Sequence, residues 1–159
     1  MFTVRNAARD VLSAGGTALL AASLTLSGAG AAQASATGTT PIDSFTYWLQ
    51  GATVKVPVGC FLTHTIKGSG RKITDEFAGA DCVGPAVTFT KFCNWRIDFT
   101  YADTSNKTYR TSRGRTHTEC KGDPLRKTAP QTLPKYGKAC ARLYVNGALR
   151  ATQCHSIVK

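Results

Sequence analysis

The residues of this 159-residue chain best suited to chemistry are six cysteines and three histidines. The cysteines are Cys60, Cys82, Cys93, Cys120, Cys140 and Cys154. An even count behind a secretory leader reads as three disulfides, with many connectivities open in principle. Spacing favours pairing along the chain: 60 with 82, 93 with 120, 140 with 154. The rival use is a zinc site, which needs thiolates and imidazoles at close spacing. No C-x-x-C occurs, and His64, His117 and His155 are scattered. A nucleophilic serine is not signalled either, because no G-x-S-x-G elbow appears. His64 lies in the alternating run FLTHTI on the side of Leu62 and Ile66, which suits a satisfied, semi-buried histidine. His117 and His155 read as surface or packing residues. Asp75 and Glu76 are adjacent, so on a strand they point to opposite faces and form no carboxylate pair. The expectation is a protein that is not an enzyme, with no cofactor and no metal.

The elements that carry these residues read as strands. In ACARLYVNGALRATQCHSI, Asn146-Gly147 is a hairpin signal, since both residues tolerate positive φ. A three-residue loop over Asn146 to Ala148 pairs Val145 with Leu149, Leu143 with Ala151, and Cys140 with Cys154. It puts Arg142, Tyr144, Arg150 and Thr152 on the face opposite the apolar residues. In CNWRIDFTY, Cys93, Trp95, Ile97, Phe99 and Tyr101 share one face. The return strand, Thr108 to Thr118, is almost wholly polar, and Gly114 suggests a bulge. Val54, Val56 and Val58 alternate in a strand that Pro57 confines to an edge or a terminus. Cys60 to Lys67 turns at Gly68-Ser69-Gly70 and returns through Phe77. A turn centred on Ser69 requires a bulge within Phe77 to Asp81 to bring Cys82 opposite Cys60. Lys121 to Gly137, with Pro124, Pro130 and Pro134, reads as a long ordered loop. The fold class is all-β: a small, disulfide-stapled antiparallel sandwich or barrel with no long helix.

Three regions divide the chain. Residues 1–36 read as a secretory signal peptide, with Arg5 and Arg9, an apolar run and the A-x-A site Ala34-Ser35-Ala36. The mature protein is therefore expected outside the cell, with no membrane span. Residues 37–50 read as a flexible N-terminal arm carrying an aromatic cluster, and residues 51–159 as the β domain. The cluster, Phe45, Tyr47, Trp48 and Leu49, either tucks into the domain's own core or buries itself in a partner. Charge is asymmetric. From Lys91 onward, fourteen Lys and Arg face only Asp98, Asp103, Glu119 and Asp123, whereas the preceding mature residues balance. Arg110, Arg113 and Arg115 on the polar strand offer a solvated or docking face for anionic surfaces. Nucleic-acid platforms usually interleave aromatics, and only Tyr109 does so here, so no specific nucleic acid is expected.

The segments GCFLTHTI, FCNWRIDFTYAD, RGRTHTEC, DPLRK and KACARLYVNG…QCHSI resemble a group of small secreted actinobacterial proteins, the adaptor subunits of umbrella toxin particles. The resemblance covers about Gly51 to Ile157. It implies a non-enzymatic adaptor that links a large toxin protein to lectin-type subunits. The N-terminal segment would insert into the toxin, and the β domain would present the lectin. Ile42, Phe45, Tyr47, Trp48 and Leu49 would be insertion residues. Arg110, Arg113, Arg115, Arg142, Tyr144 and Arg150 would belong to a docking surface. The alternative from composition is a secreted protease inhibitor or antimicrobial module, with Lys67 to Lys72 as its most loop-like segment.

Overall fold

A computed structural model describes residues 35–159, so the leader expected over 1–36 lies almost wholly outside the described residues. Nearly every element is a strand. One sheet has the order β1 (Ala36–Ile42), β4 (Cys60–Ser69), β5 (Lys72–Cys82), β8 (Leu125–Thr128), with β9 (Gln131–Thr132) also on β5. The second has the order β11 (Ala148–Ile157), β10 (Gly137–Val145), β6 (Trp95–Asp103), β7 (Thr108–Ser112). A separate hairpin joins β2 (Phe45–Leu49) to β3 (Ala52–Val56), and one short helix, α1, spans Ala86–Phe89. All the ladders are antiparallel.

Alternation explains how the two sheets face each other. Leu62, His64 and Ile66 of β4, with Ala78 and Ala80 of β5, point inward from the first sheet. Trp95, Ile97, Phe99 and Tyr101 of β6, with Ala141, Leu143 and Val145 of β10, point inward from the second. Large aromatics on β6 thus fill the space left by alanines on β5 and β10, as an interdigitated core requires. Both open sides of the sandwich are clamped. On one side the Thr40 hydroxyl of β1 donates to the Thr152 carbonyl of β11 at 3.2 Å. On the other, the Arg126 guanidinium of β8 donates to the carbonyls of Ile97 and Ser112 at 2.9 and 2.7 Å.

The disulfides are Cys60–Cys82, Cys93–Cys120 and Cys140–Cys154, the sequential pairing that spacing favours. All six cysteines are consumed, so none is left as a thiolate for zinc. Two turn expectations are corrected. The last hairpin closes through the two residues Asn146 and Gly147, at φ of 50° and 80°, and pairs Val145 with Ala148 and Tyr144 with Leu149. A bulge beside Leu143 and Tyr144, with Arg150 as the extra residue, then restores the pairs Leu143–Ala151 and Cys140–Cys154. Similarly, β4 turns to β5 across Gly70 and Arg71, not around Ser69. The compensating bulge falls at Thr74, whose hydroxyl donates to the Lys67 carbonyl, and Phe77 to Asp81 pair regularly.

Gly114 is not a bulge. The irregularity in the β6–β7 ladder falls at Tyr109. Gly114 instead allows close approach: a Cβ there would stand 2.3 Å from the Ile97 carbonyl oxygen, and its N–H donates to the Asp98 carboxylate at 2.8 Å. Strand β7 stops at Ser112, and beyond it the chain returns to β6 through the single bridge of His117 to Trp95. The expected long loop over Lys121 to Gly137 contains β8 and β9, which complete the first sheet. Its prolines sit at the ends of these short pieces, where an edge strand tolerates a missing N–H.

Candidate binding surfaces

Residues 37–50, expected as a flexible arm, are paired. Strand β1 runs beside β4 over seven consecutive residues, from Ala36 opposite Ile66 to Ile42 opposite Cys60. Strand β2 folds back on β3. The aromatic cluster divides by strand parity. Ile42 and Tyr47 are buried in the domain's own core, Phe45 and Leu49 are half-buried, and Trp48 is 66% exposed. The Tyr47 hydroxyl donates to the Lys91 carbonyl and accepts from the Cys93 N–H at 2.9 Å. Ile42 and Tyr47 are therefore structural residues in the free chain, because leaving the core would expose them and orphan those bonds. Trp48 is the member of the cluster open to a partner.

The basic residues also separate. The Arg110 guanidinium lies over the Tyr101 ring at 4.5 Å and bonds the Gln131 side-chain carbonyl, so it serves the interior. Arg113 and Arg115 are exposed. On the outer face of the second sheet, Arg142 and Tyr144 of β10 stand beside Asp98 and Arg96 of β6. Arg96 bonds Asp98 at 2.9 Å and stacks over the Tyr144 ring at 4.3 Å. Arg150, displaced by its bulge, covers the Phe45 ring at 4.0 Å and so anchors the β2–β3 hairpin. Of the expected docking residues Arg113 and Arg115 are exposed, whereas Arg142 and Tyr144 are half-buried, the latter beneath Arg96.

The interior holds a polar cluster that sequence reading missed. Glu76 is fully buried, with its side chain directed between the sheets. One carboxylate oxygen meets His64 Nε2 at 3.1 Å. The other accepts from the Tyr101 hydroxyl at 2.6 Å and from Gln131 Nε2 at 3.0 Å. Burial and the adjacent carboxylate hold the Tyr101 hydroxyl protonated well above the ordinary tyrosine range. His155 of β11 bonds the His64 carbonyl at 2.8 Å, and the two imidazoles lie 5.0 Å apart. The arrangement is that of a load of polar groups satisfied inside a sandwich, with His64 Nδ1 the exception that finds no partner.

Burial pushes the His155 pKa below its ordinary 6.5, only partly offset by the bond to the His64 carbonyl. The folded chain therefore resists a proton that the unfolded chain takes up. Stability is intact above pH 6.5 and falls as the pH drops from there toward the lower folded value. Melting temperature should decline between about pH 7.5 and about pH 5.5, and His155→Gln should show a smaller decline. Equal slopes for the two proteins would sink this assignment.

Among the described residues, an exposed apolar feature gathers around α1. Helix α1 leaves Val87 and Phe89 60% and 75% exposed, and Val58 and Val83 stand nearby, also exposed. Two adjoining hollows of about 640 and 500 Å³ share Phe89 and Lys55. The first is floored by Pro57, Val58, Val83 and Ala86; the second runs along β3 to the Cys93–Cys120 disulfide. The signal for the exposure of Val87 and Phe89 was Gly84-Pro85, which starts a helical turn too short to bury either side chain.

The fold and these surfaces define a disulfide-stapled antiparallel β-sandwich, closed by side-chain clamps and carrying an apolar end groove. No protein-family model, no curated protein and no solved structure matches the chain. Among the described residues no helix is long and apolar enough to cross a membrane.

Proposed function

We propose that the protein is a non-enzymatic, extracellular assembly adaptor. Its N-terminal segment engages a large toxin protein and its β domain presents a lectin-type subunit. The partner classes come from the resemblance of the cysteine-anchored segments; the observation that carries the reading is the character of β1. Its seven residues pair along an edge of the sheet, yet only Ile42 is buried, and Thr37, Gly38, Thr39 and Thr40 contribute small or polar side chains. Backbone bonds hold such a strand, and another sheet edge or groove offers the same bonds. Residues 37–41 can thus be exchanged to a partner while Ile42 stays in the core, at the cost of the Thr40 bond to β11. Trp48 gives the neighbouring hairpin an exposed aromatic anchor. Three disulfides suit a protein that works in an oxidising compartment.

The inhibitor alternative gains less. Lys67 to Lys72 forms a tight turn, and Arg71 is tied down to the Pro134 carbonyl and over the Tyr136 ring. The test separates binding from folding. Removing residues 37–41 of the mature chain spares Ile42, so the domain should still fold, with a melting temperature lowered by the loss of the Thr40 clamp and of the β4 pairing. Co-purification with a high-mass toxin protein from the producing culture should be lost. Retention of that partner by the folded, shortened chain would overturn the reading.

A further inference from the structure

Strand β3 has β2 as its single ladder partner among the described residues, so its second edge carries unpaired N–H and C=O groups. Four consecutive residues, Ala52 to Lys55, line the adjoining hollow. Side chains alternate across a strand, so an unbroken run of four brings the backbone of β3 to the wall of the hollow, which Leu49 and Gln50 extend at the β2 end of the hairpin. The far wall is the Phe89 to Cys93 segment with the Cys93–Cys120 disulfide, a fixed boundary. At the end of the slot the space opens into the apolar hollow floored by Val58 and Val83. Lys55 and Lys91 stand on the rim, and neither has a carboxylate within ion-pair reach among the described residues.

We infer that this groove binds an extended peptide segment of a partner protein, which adds to β3 as a third strand. An apolar side chain of the peptide fills the hollow beside Phe89, and an acidic residue meets Lys55 and Lys91. Backbone pairing supplies affinity, and the two side-chain subsites supply selectivity, as in other cases of strand addition. The site lies on the β2–β3 hairpin and α1, away from the β1 edge, and it does not depend on the adaptor reading. The unpaired lysines select an acidic peptide over a basic one by like-charge repulsion as well as attraction.

The probe is a displayed library of random twelve-residue peptides, panned on the full mature chain. Enriched sequences should combine an aromatic or large aliphatic residue with Asp or Glu a few positions away. Phe89→Ser, at a site 75% exposed and so tolerant of change, should weaken a selected peptide by about tenfold or more. Lys55→Glu with Lys91→Glu should reverse the selection toward Lys and Arg. In a ¹⁵N-labelled chain, the peptide should shift the amides of Ala52 to Val56, and alternate N-methylation of the peptide should abolish binding. Four results would overturn the inference: no enriched family, binding indifferent to Phe89→Ser, binding indifferent to N-methylation, or shifts at these amides that grow with protein concentration alone. The last would mean that a second copy occupies the groove.

Discussion

Glu76→Leu should lower the unfolding free energy by about 3–5 kcal/mol, a large share of the roughly 5–15 kcal/mol that holds a domain of this size together. The carboxylate gathers partners from four strands: His64 on β4, Tyr101 on β6, Thr128 on β8 and Gln131 on β9. Ile66, not His64, lies directly opposite Glu76 in the β4–β5 ladder, so the His64 contact is diagonal within one sheet. The Tyr101 contact crosses the core to the second sheet, and the Gln131 contact ties Glu76 to β9 of its own sheet. Leucine fills a similar volume but leaves His64 Nε2 and the Tyr101 hydroxyl buried with one acceptor fewer. That loss, and not the removal of a favourable pair, dominates the cost. Glu76→Gln keeps an acceptor for Tyr101 and should cost roughly 1–2 kcal/mol. Combining Glu76→Leu with His64→Leu and Tyr101→Phe removes the orphaned groups and should recover part of the deficit. Urea unfolding of the four proteins measures all of this. A Glu76→Leu variant within about 1 kcal/mol of the parent would show that the hub contributes specificity alone.

That hub marks the limit of what strand periodicity reveals. Leu62, His64 and Ile66 share a face in the plain alternation of FLTHTI, and the structure keeps them inward. On β5, Ile73 and Ala78 are both buried although their numbers differ in parity. Only the extra residue at Thr74 reconciles them, and that bulge is what turns Glu76 inward and Asp75 outward to pair with Lys127. A one-residue slip changes the face of every later side chain, so the position of a bulge decides which of two adjacent carboxylates enters the core. The three cysteine pairs were legible for the opposite reason. Each closes a short interval, and a register error of one residue is absorbed by a nearby turn or bulge, as Arg150 does between Asn146-Gly147 and Cys140–Cys154. The arm was misread because Thr37 to Thr40 looks solvent-seeking by composition. An edge strand needs only backbone groups, which composition does not report. The end groove was illegible because it depends on where β3 finds no second neighbour, a property of topology and not of any residue type.

Removing the Cys93–Cys120 disulfide, as Cys93→Ala with Cys120→Ala, should cost about 3–4 kcal/mol, the most of the three bonds. It closes the longest interval, 27 residues, against 22 for Cys60–Cys82 and 14 for Cys140–Cys154. Loop length separates the three by only a few tenths of a kcal/mol, so local structure decides the order. Cys140 and Cys154 sit within a ladder that pairs residues on both sides of them, and Cys60–Cys82 ends a ladder of similar length. The chain around Cys120 has much less support. Between the end of β7 and the start of β8 it is held at its ends by the Gly114 bond to Asp98 and the Ala80 bond to the Pro124 carbonyl, and between them by the Phe92–Lys121 and Trp95–His117 bridges and the His117 ring stacked on Trp95 at 4.0 Å. Without the disulfide this segment should open ahead of global unfolding. Amide hydrogen exchange should therefore accelerate at His117 and Lys121, whose N–H groups make those bridges, while Ala141 and Leu143 in β10 keep their ranking as slow sites. Loss of the Cys140–Cys154 bond should lower stability with no such local signature. Uniform acceleration across both regions would mean that the Cys93–Cys120 bond acts through the unfolded chain alone, with no special hold on the segment that walls the β3 groove.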